Sequence, residues 1–374
     1  MRSVQMLVSV LFVALLAGCQ YADTLQTVLP EPESAYGGDR AAALPARPKV
    51  KGIYVSGWAA GTAKLDRLIE LVEQTELNAM VIDMKTDRGQ LTYDSALPLA
   101  DDSGADSARM IPDISGLVAR LKEKQIYTIG RVVVFKDPYM AAVRPDWALQ
   151  TKDGGVWQDS KGTSWVDPYH PEVWTYALDI AKEAASMGFD EVQFDYVRFP
   201  DNGLKVDREV VYRNPNGWAK SEAIERFLHL ATEELHKRGV YVSADVFGLT
   251  ASVSDDMGIG QVWNGIAPAI DVISPMIYPS HYGEGVFGIP HPDLEPYLIV
   301  QHALADGLRK NGQLASTSPQ VASIRPWLQD FTATWVKPHK TYDNTDVQAQ
   351  IQAAVELGIE EYLLWNSASS YTFR

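Results

Sequence analysis

The chain has 374 residues, with 48 Asp and Glu against 33 Lys and Arg, giving a formal charge of −15. So acidic a surface argues against nucleic acid and anionic membrane surfaces as partners and fits a neutral or cationic ligand better. Cys19 is the only cysteine, which excludes an intramolecular disulfide and leaves stability to core burial.

Arg2 precedes an apolar run from Met6 to Ala17, too short to span a bilayer and typical of a signal peptide core. The run closes with Leu16, Ala17, Gly18 and Cys19, which resembles the bacterial lipobox. That resemblance implies removal of residues 1–18, lipidation of Cys19, export to the cell envelope and membrane attachment through the lipid alone. Loss of Arg2 takes the charge from −15 to −16. Residues 19–48 contain PEPES, YGGDR and LPARP without periodicity and read as a flexible tether.

From residue 49 to 374, short strands alternate with amphipathic helices. Strands are expected at 52–58, 79–85, 127–135, 191–197, 241–248, 272–278, 321–328 and 362–366. Leu65, Leu68, Ile69 and Val72 fall at helical spacing, as do Ile114, Leu117, Val118 and Leu121. Eight such units predict a single α/β domain, a (β/α)8 TIM barrel. A doubly wound sheet is the alternative, but no glycine-rich nucleotide fingerprint follows the first strand. Turns into strands are short, whereas the loops leaving them (86–112, 136–171, 198–217, 279–293 and 329–345) are long. A barrel elaborates the face that binds, so the site belongs at the C-terminal ends of the strands.

Polar residues gather at those ends: Asp83 and Lys85 on the second strand, Arg131 and Lys136 on the third, Asp195 and Arg198 on the fourth, and Asp245 on the fifth. Tyr278 and His281 follow the sixth, Gln329 the seventh, and Trp365 and Asn366 the eighth. Buried charges need partners, so the second- and third-strand charges fit equally an ion-pair ring, such as Asp83 with Arg131, or substrate contacts. Asp195 and Asp245 come from consecutive strands and should converge across the mouth. Glycoside hydrolysis needs such a pair, one carboxyl protonating the leaving oxygen and the other attacking or activating water. Asp195 near Arg198 should stay ionised, and Asp245 among Ala244, Val246 and Phe247 should hold its proton; Tyr278 or His281 is the alternative donor. Aromatic residues suit sugar faces. Trp58 and Trp365 are the first candidates, and part of the set Trp147, Trp157, Trp165, Tyr169 and Trp174 is expected to reach a ligand.

The segments NAMVIDMKTDRGQLTYDS, GRVVVFKDP, GFDEVQFDYVRFP, VSADVFG and VISPMIYPSHYG together resemble a bacterial family of glycoside-hydrolase-type barrels that was formerly a domain of unknown function. The resemblance covers roughly residues 49–374. It implies a glycosidase barrel related to the α-amylase, α-galactosidase and chitinase superfamilies, with Asp195 at the fourth-strand catalytic position. The chain departs from chitinases in lacking a D-x-x-D-x-D-x-E run, so it does not carry their substrate-assisted signature.

The sequence-level expectation is a lipid-anchored envelope glycoside hydrolase acting on a polysaccharide or glycan through Asp195 and Asp245. The other expected ligand contacts are Trp58, Asp83, Lys85, Arg131, Lys136, Arg198, Tyr278, His281, Gln329, Trp365 and Asn366. A non-catalytic carbohydrate-binding barrel and a metal-dependent polysaccharide deacetylase using Asp and His281 are the rivals. No cofactor or metal is expected: the acidic stretch 101–106 lacks EF-hand spacing, and the histidines lack ligand spacing.

Overall fold

The computed structural model describes residues 44–374. The signal segment 1–18, Cys19 and most of the expected tether lie outside the described residues. Among the described residues, eight parallel strands close into a barrel. They are β1 (Lys51–Val55), β2 (Ala79–Lys85), β3 (Tyr127–Val133), β4 (Glu191–Asp195), β5 (Tyr241–Phe247), β6 (Val272–Ile277), β7 (Trp327–Gln329) and β8 (Tyr362–Trp365). Pairing of β8 with β1 and of β6 with β7 completes the ring.

The expected seventh strand is split into Ser323–Ile324 and Trp327–Gln329, with a break at Arg325 and Pro326. The flanking pairs Ile273↔Ile324 and Met276↔Trp327 put Pro326 opposite Pro275. Neither proline has an N–H to give the ladder, so regular pairing lapses there. The carbonyl of Pro326 still accepts from the Leu363 amide at 2.9 Å, which ties this point to β8.

The main covering helices are α1 (Lys64–Gln74), α2 (Ile114–Glu123), α3 (Pro171–Ser186), α4 (Lys220–His236), α5 (Pro296–Leu314) and α6 (Asn344–Glu356). The predicted stripe Leu65, Leu68, Ile69 and Val72 is buried on α1, and Ile114, Leu117, Val118 and Leu121 on α2. Asp113 starts α2 by accepting the Gly116 amide at 2.8 Å, and Asp343 with Asp346 forms a capping box on α6.

The two-residue period of a strand sorts the barrel into an apolar outside and a polar inside. On β4, Phe194 turns outward onto Phe227 of α4, with ring centroids 5.3 Å apart. Glu191, Gln193 and Asp195 point inward, each into a different layer. At the floor, Glu191 pairs with Arg325, both fully buried. In the middle, Gln193 donates to Ser274 Oγ at 3.2 Å. At the top, Asp195 joins Arg131. Burial would raise the Glu191 carboxyl, but Arg325, Arg47 and Ser243 outweigh it and leave it below its ordinary value.

The end of the expected tether is docked on that floor. Tyr241 donates to the Pro45 carbonyl at 2.6 Å, and Arg47 pairs with Glu361 and donates to Ser323 Oγ at 2.9 Å. Chain entry and site therefore occupy opposite ends of the barrel.

Candidate active site

Arg131 organises the top layer. Its Nη1 donates to Asp83 Oδ1 at 2.6 Å and its Nε to Asp195 Oδ2 at 3.0 Å, so one guanidinium spans carboxylates from the strands on either side. Tyr54, from β1, adds its hydroxyl to Asp83 Oδ2 at 2.5 Å. Burial pushes the Asp83 carboxyl up, opposed by Arg131 and the Tyr54 hydroxyl. The ion-pair arrangement weighed from sequence for Asp83 and Arg131 is thus present, and it extends to Asp195.

The partner of Asp195 is Arg131, not Arg198 as expected. The reason lies in the backbone: Tyr196 adopts φ +49°, a left-handed conformation rare for a bulky residue. Its amide turns back to donate to Asp195 Oδ1 at 2.6 Å. The chain then leaves the barrel axis, and Arg198 pairs with Asp201 at 2.9 Å beneath the Trp165 and Phe247 rings. Such strain costs on the order of 1–3 kcal/mol and concentrates at functional sites.

Asp245 sits beside Asp195 on the neighbouring strand. The register Phe194↔Ala244 puts the two aspartates in the next row, both facing inward, with strands about 4.8 Å apart. Trp327 Nε1 donates to Asp245 Oδ1 at 2.7 Å. Burial first, and then the charge of Asp195, pushes the Asp245 carboxyl well above the usual carboxylate range; Arg131 and the indole N–H pull the other way. Burial and the same two carboxylates push the Tyr278 phenol up as well, so it stays a proton-bearing donor.

Aromatic residues line one side of the mouth. Trp365 lies 4.2 Å from the Tyr54 ring and 6.4 Å from Tyr278, centroid to centroid, and Arg131 lies 5.5 Å over its face. Trp58, just beyond β1, is 60 % exposed. His281 is exposed next to Tyr278, its Nδ1 3.0 Å from Ser280 Oγ. The aromatics of the 136–171 loop and the helix after it are placed differently: Trp147, Trp157, Trp165, Tyr169 and Trp174 are buried, several against the segment 196–218, as Trp165 on Tyr196, Tyr169 on Phe199 and Trp174 on Trp218. Their indole and ring faces are used in packing, which is the usual fate of a large aromatic.

The remaining predicted contacts serve the loops that frame the mouth. Lys85 is buried against Asp137 at 2.7 Å, and Lys136 lies 3.6 Å from Asp87 and 4.9 Å over the Tyr196 ring. Gln329 is fully buried. It accepts from Ser280 and donates to Asp293 and Phe331, which fastens the loops after β6 and β7 together. Asn366 donates to the Asp330 carbonyl and caps Ala368. Sequence reading passed over Tyr54, Trp327, Phe331 and Trp335. The first two were legible as inward positions on their strands, and Trp335 as a tryptophan in a long C-terminal-face loop.

A closed parallel barrel with inward carboxylates at its C-terminal mouth defines the class of (β/α)8 glycosidase-type barrels. Residues 52–371 match the family described as "Putative glycosyl hydrolase domain", and the chain belongs to it. A hypothetical protein from Ruminiclostridium thermocellum is 38% identical over 52% of this chain and 97% of its own, with a TM-score of 0.47. The same fold occurs in the PgaB (BpsB) glycoside hydrolase domain of Bordetella bronchiseptica, at 14% identity and TM-score 0.59, covering 86% of this chain and 95% of that one. It also occurs in the α-galactosidase TtGalA of Thermus thermophilus in complex with stachyose, at 12% identity and TM-score 0.53, over 87% of this chain and 63% of that one. A search of curated protein sequences gave no match.

Proposed function

We propose that this protein is an envelope glycoside hydrolase, anchored through Cys19, that cleaves a polysaccharide or glycan with Asp195 and Asp245. The observation that carries the mechanism is the contrast between two adjacent inward carboxyl groups. Asp195 is held by Arg131 and the Tyr196 amide, and Asp245 is pushed toward its protonated form by burial and by Asp195 itself. A carboxylate fixed by an arginine and an amide, beside a carboxyl pushed toward its protonated form, supplies the two roles of glycoside hydrolysis.

Asp245 protonates the departing oxygen as the C–O bond breaks, and its conjugate base is stabilised by the Trp327 indole N–H and the Arg131 charge. Asp195 attacks or stabilises the anomeric carbon as positive charge develops there. Its carboxylate is kept in one orientation by two Arg131 nitrogens and the neighbouring amide. One shared register row on neighbouring strands favours a carboxyl separation of about 5 Å, the spacing of retaining enzymes. Trp365 and Trp58 offer faces for sugar rings.

Purified full-length protein incubated with envelope and extracellular polysaccharides, with new reducing ends measured, tests the reading. Release of reducing ends whose anomer matches that of the cleaved bond supports it. Glycan binding without release from any polysaccharide would replace the hydrolase by a carbohydrate-binding barrel.

A further inference from the structure

Trp335 is 65 % exposed, on the loop between β7 and α6, and nothing in the two-carboxylate chemistry requires it. Its exposed indole presents a broad apolar surface that a ligand face can cover. It also packs on two aromatic neighbours. Its ring stacks on Phe331 at a centroid distance of 6.1 Å with planes 17° apart, and His281 meets it edge-on at 6.5 Å.

The loop beneath it is braced at several points. Asp293 accepts from the Lys340 amide at 2.9 Å and from Gln329, its carbonyl accepts from the Tyr342 hydroxyl, and Thr332 Oγ1 accepts the Tyr342 amide at 3.0 Å. An exposed tryptophan on a braced loop is presented outward at little entropic cost on binding.

From Trp335 a chain of aromatic contacts leads inward, from exposed to buried rings. Phe331 lies 5.8 Å from Tyr278, Tyr278 lies 6.4 Å from Trp365, and Trp365 lies 4.2 Å from Tyr54. Tyr54 in turn donates to Asp83, the shared partner of Arg131. The track therefore starts beside the carboxylates and ends at the rim. Of these rings, exposed Trp335 and half-buried Phe331 and Trp365 keep accessible apolar surface, which suits pyranose rings: sugars stack through C–H faces while their hydroxyls seek polar partners.

We propose that Trp335 forms an outer carbohydrate subsite, so that the substrate is an oligosaccharide or polysaccharide chain running from the carboxylates over the β7–β8 rim, not a single small glycoside. This rests on the hydrolase reading for the identity of the inner end. The subsite itself requires only that the mouth take a sugar chain.

The test uses the full-length protein and an array of linear hexose and N-acetylhexosamine oligomers, from disaccharides to octasaccharides in α and β linkages. Wild type binds one series with affinity that rises with chain length. Trp335→Ala loses that rise, weakening the longest oligomers by about tenfold while leaving the disaccharide unchanged, and Trp335→Phe recovers part of it. Equal binding of long oligomers by wild type and Trp335→Ala overturns the proposal, as does wild-type binding with no dependence on length or no binding of any series. If length-dependent binding is lost in Trp335→Ala but no oligomer is ever cleaved, the subsite stands and the hydrolase reading falls.

Discussion

The indole N–H of Trp327 donates to Asp245 at 2.7 Å across the barrel mouth, from a strand two places away. This bond favours the ionised carboxylate, against burial and the neighbouring Asp195, which together keep the carboxyl well above the usual range. If Asp245 must carry a proton to act, kcat/KM falls as pH rises through that raised value. Trp327→Phe removes the donor, drives the carboxyl higher still, and should move the alkaline limb to higher pH. Stability follows the same sign. Because the folded-state value lies above the unfolded one, the protonated form's contribution is full below the unfolded carboxyl's ordinary range and is lost as pH rises through the folded value. Asp245→Asn should remove that dependence, raising the melting temperature relative to wild type at neutral pH. An alkaline limb unmoved in Trp327→Phe would dissociate Asp245 from the acid role.

Arg131 neutralises two buried carboxylates, Asp83 and Asp195. Its loss leaves both without a cation in a desolvated layer. Arg131→Met should cost about 3–5 kcal/mol in urea unfolding, and Arg131→Lys less, because one ammonium cannot match the fork that reaches both strands. A cost below about 1 kcal/mol for Arg131→Met would mean that the layer is better hydrated than the geometry implies.

The barrel was legible because its rules are local. Alternation on β4 separates Phe194 from Asp195, the stripes on α1 and α2 are regular, and the long loops all leave strand ends. Pairing across the mouth was less so. Arg198 stood three residues from Asp195 and was its expected partner; the turn at Tyr196 assigns that place to Arg131, 64 residues away. The tryptophans of the 136–171 loop looked like ligand contacts because composition does not distinguish an outward ring from one packed beneath a neighbouring segment, as Trp165 is on Tyr196. Trp335 was legible as a tryptophan in a long loop on that face, but its outward placement on Phe331 over the Asp293 brace is a tertiary fact that composition does not carry.

Trp365 and Trp58 differ in what surrounds them. Trp365 is half-buried over Tyr54 and Arg131, whereas Trp58 is exposed. Trp58→Ala should raise KM a few-fold and leave kcat and unfolding nearly unchanged, as loss of a stacking face in both ground and transition states does. Trp365→Ala should weaken binding more and also destabilise the fold by about 2–4 kcal/mol. Titration calorimetry with a cleaved oligosaccharide and urea unfolding separate the two; identical profiles for both variants would refute the distinction.

Cys19→Ala should abolish incorporation of labelled lipid and move the protein from the membrane to the soluble fraction on cell fractionation. Retention of the variant in the membrane fraction, with lipid labelling lost, would assign attachment to another part of the chain.

The central claim is that Asp195 works in the transition state, and one comparison tests it most directly. Reducing-end release and glycan affinity are measured side by side for wild type and Asp195→Asn, on a polysaccharide that the wild type cleaves. Turnover should fall by at least about 10³-fold with affinity changed less than about threefold, because the lost interaction matters when charge develops at the anomeric carbon. Turnover within tenfold of wild type would contradict it, and would move the chemistry away from the Asp195–Asp245 pair.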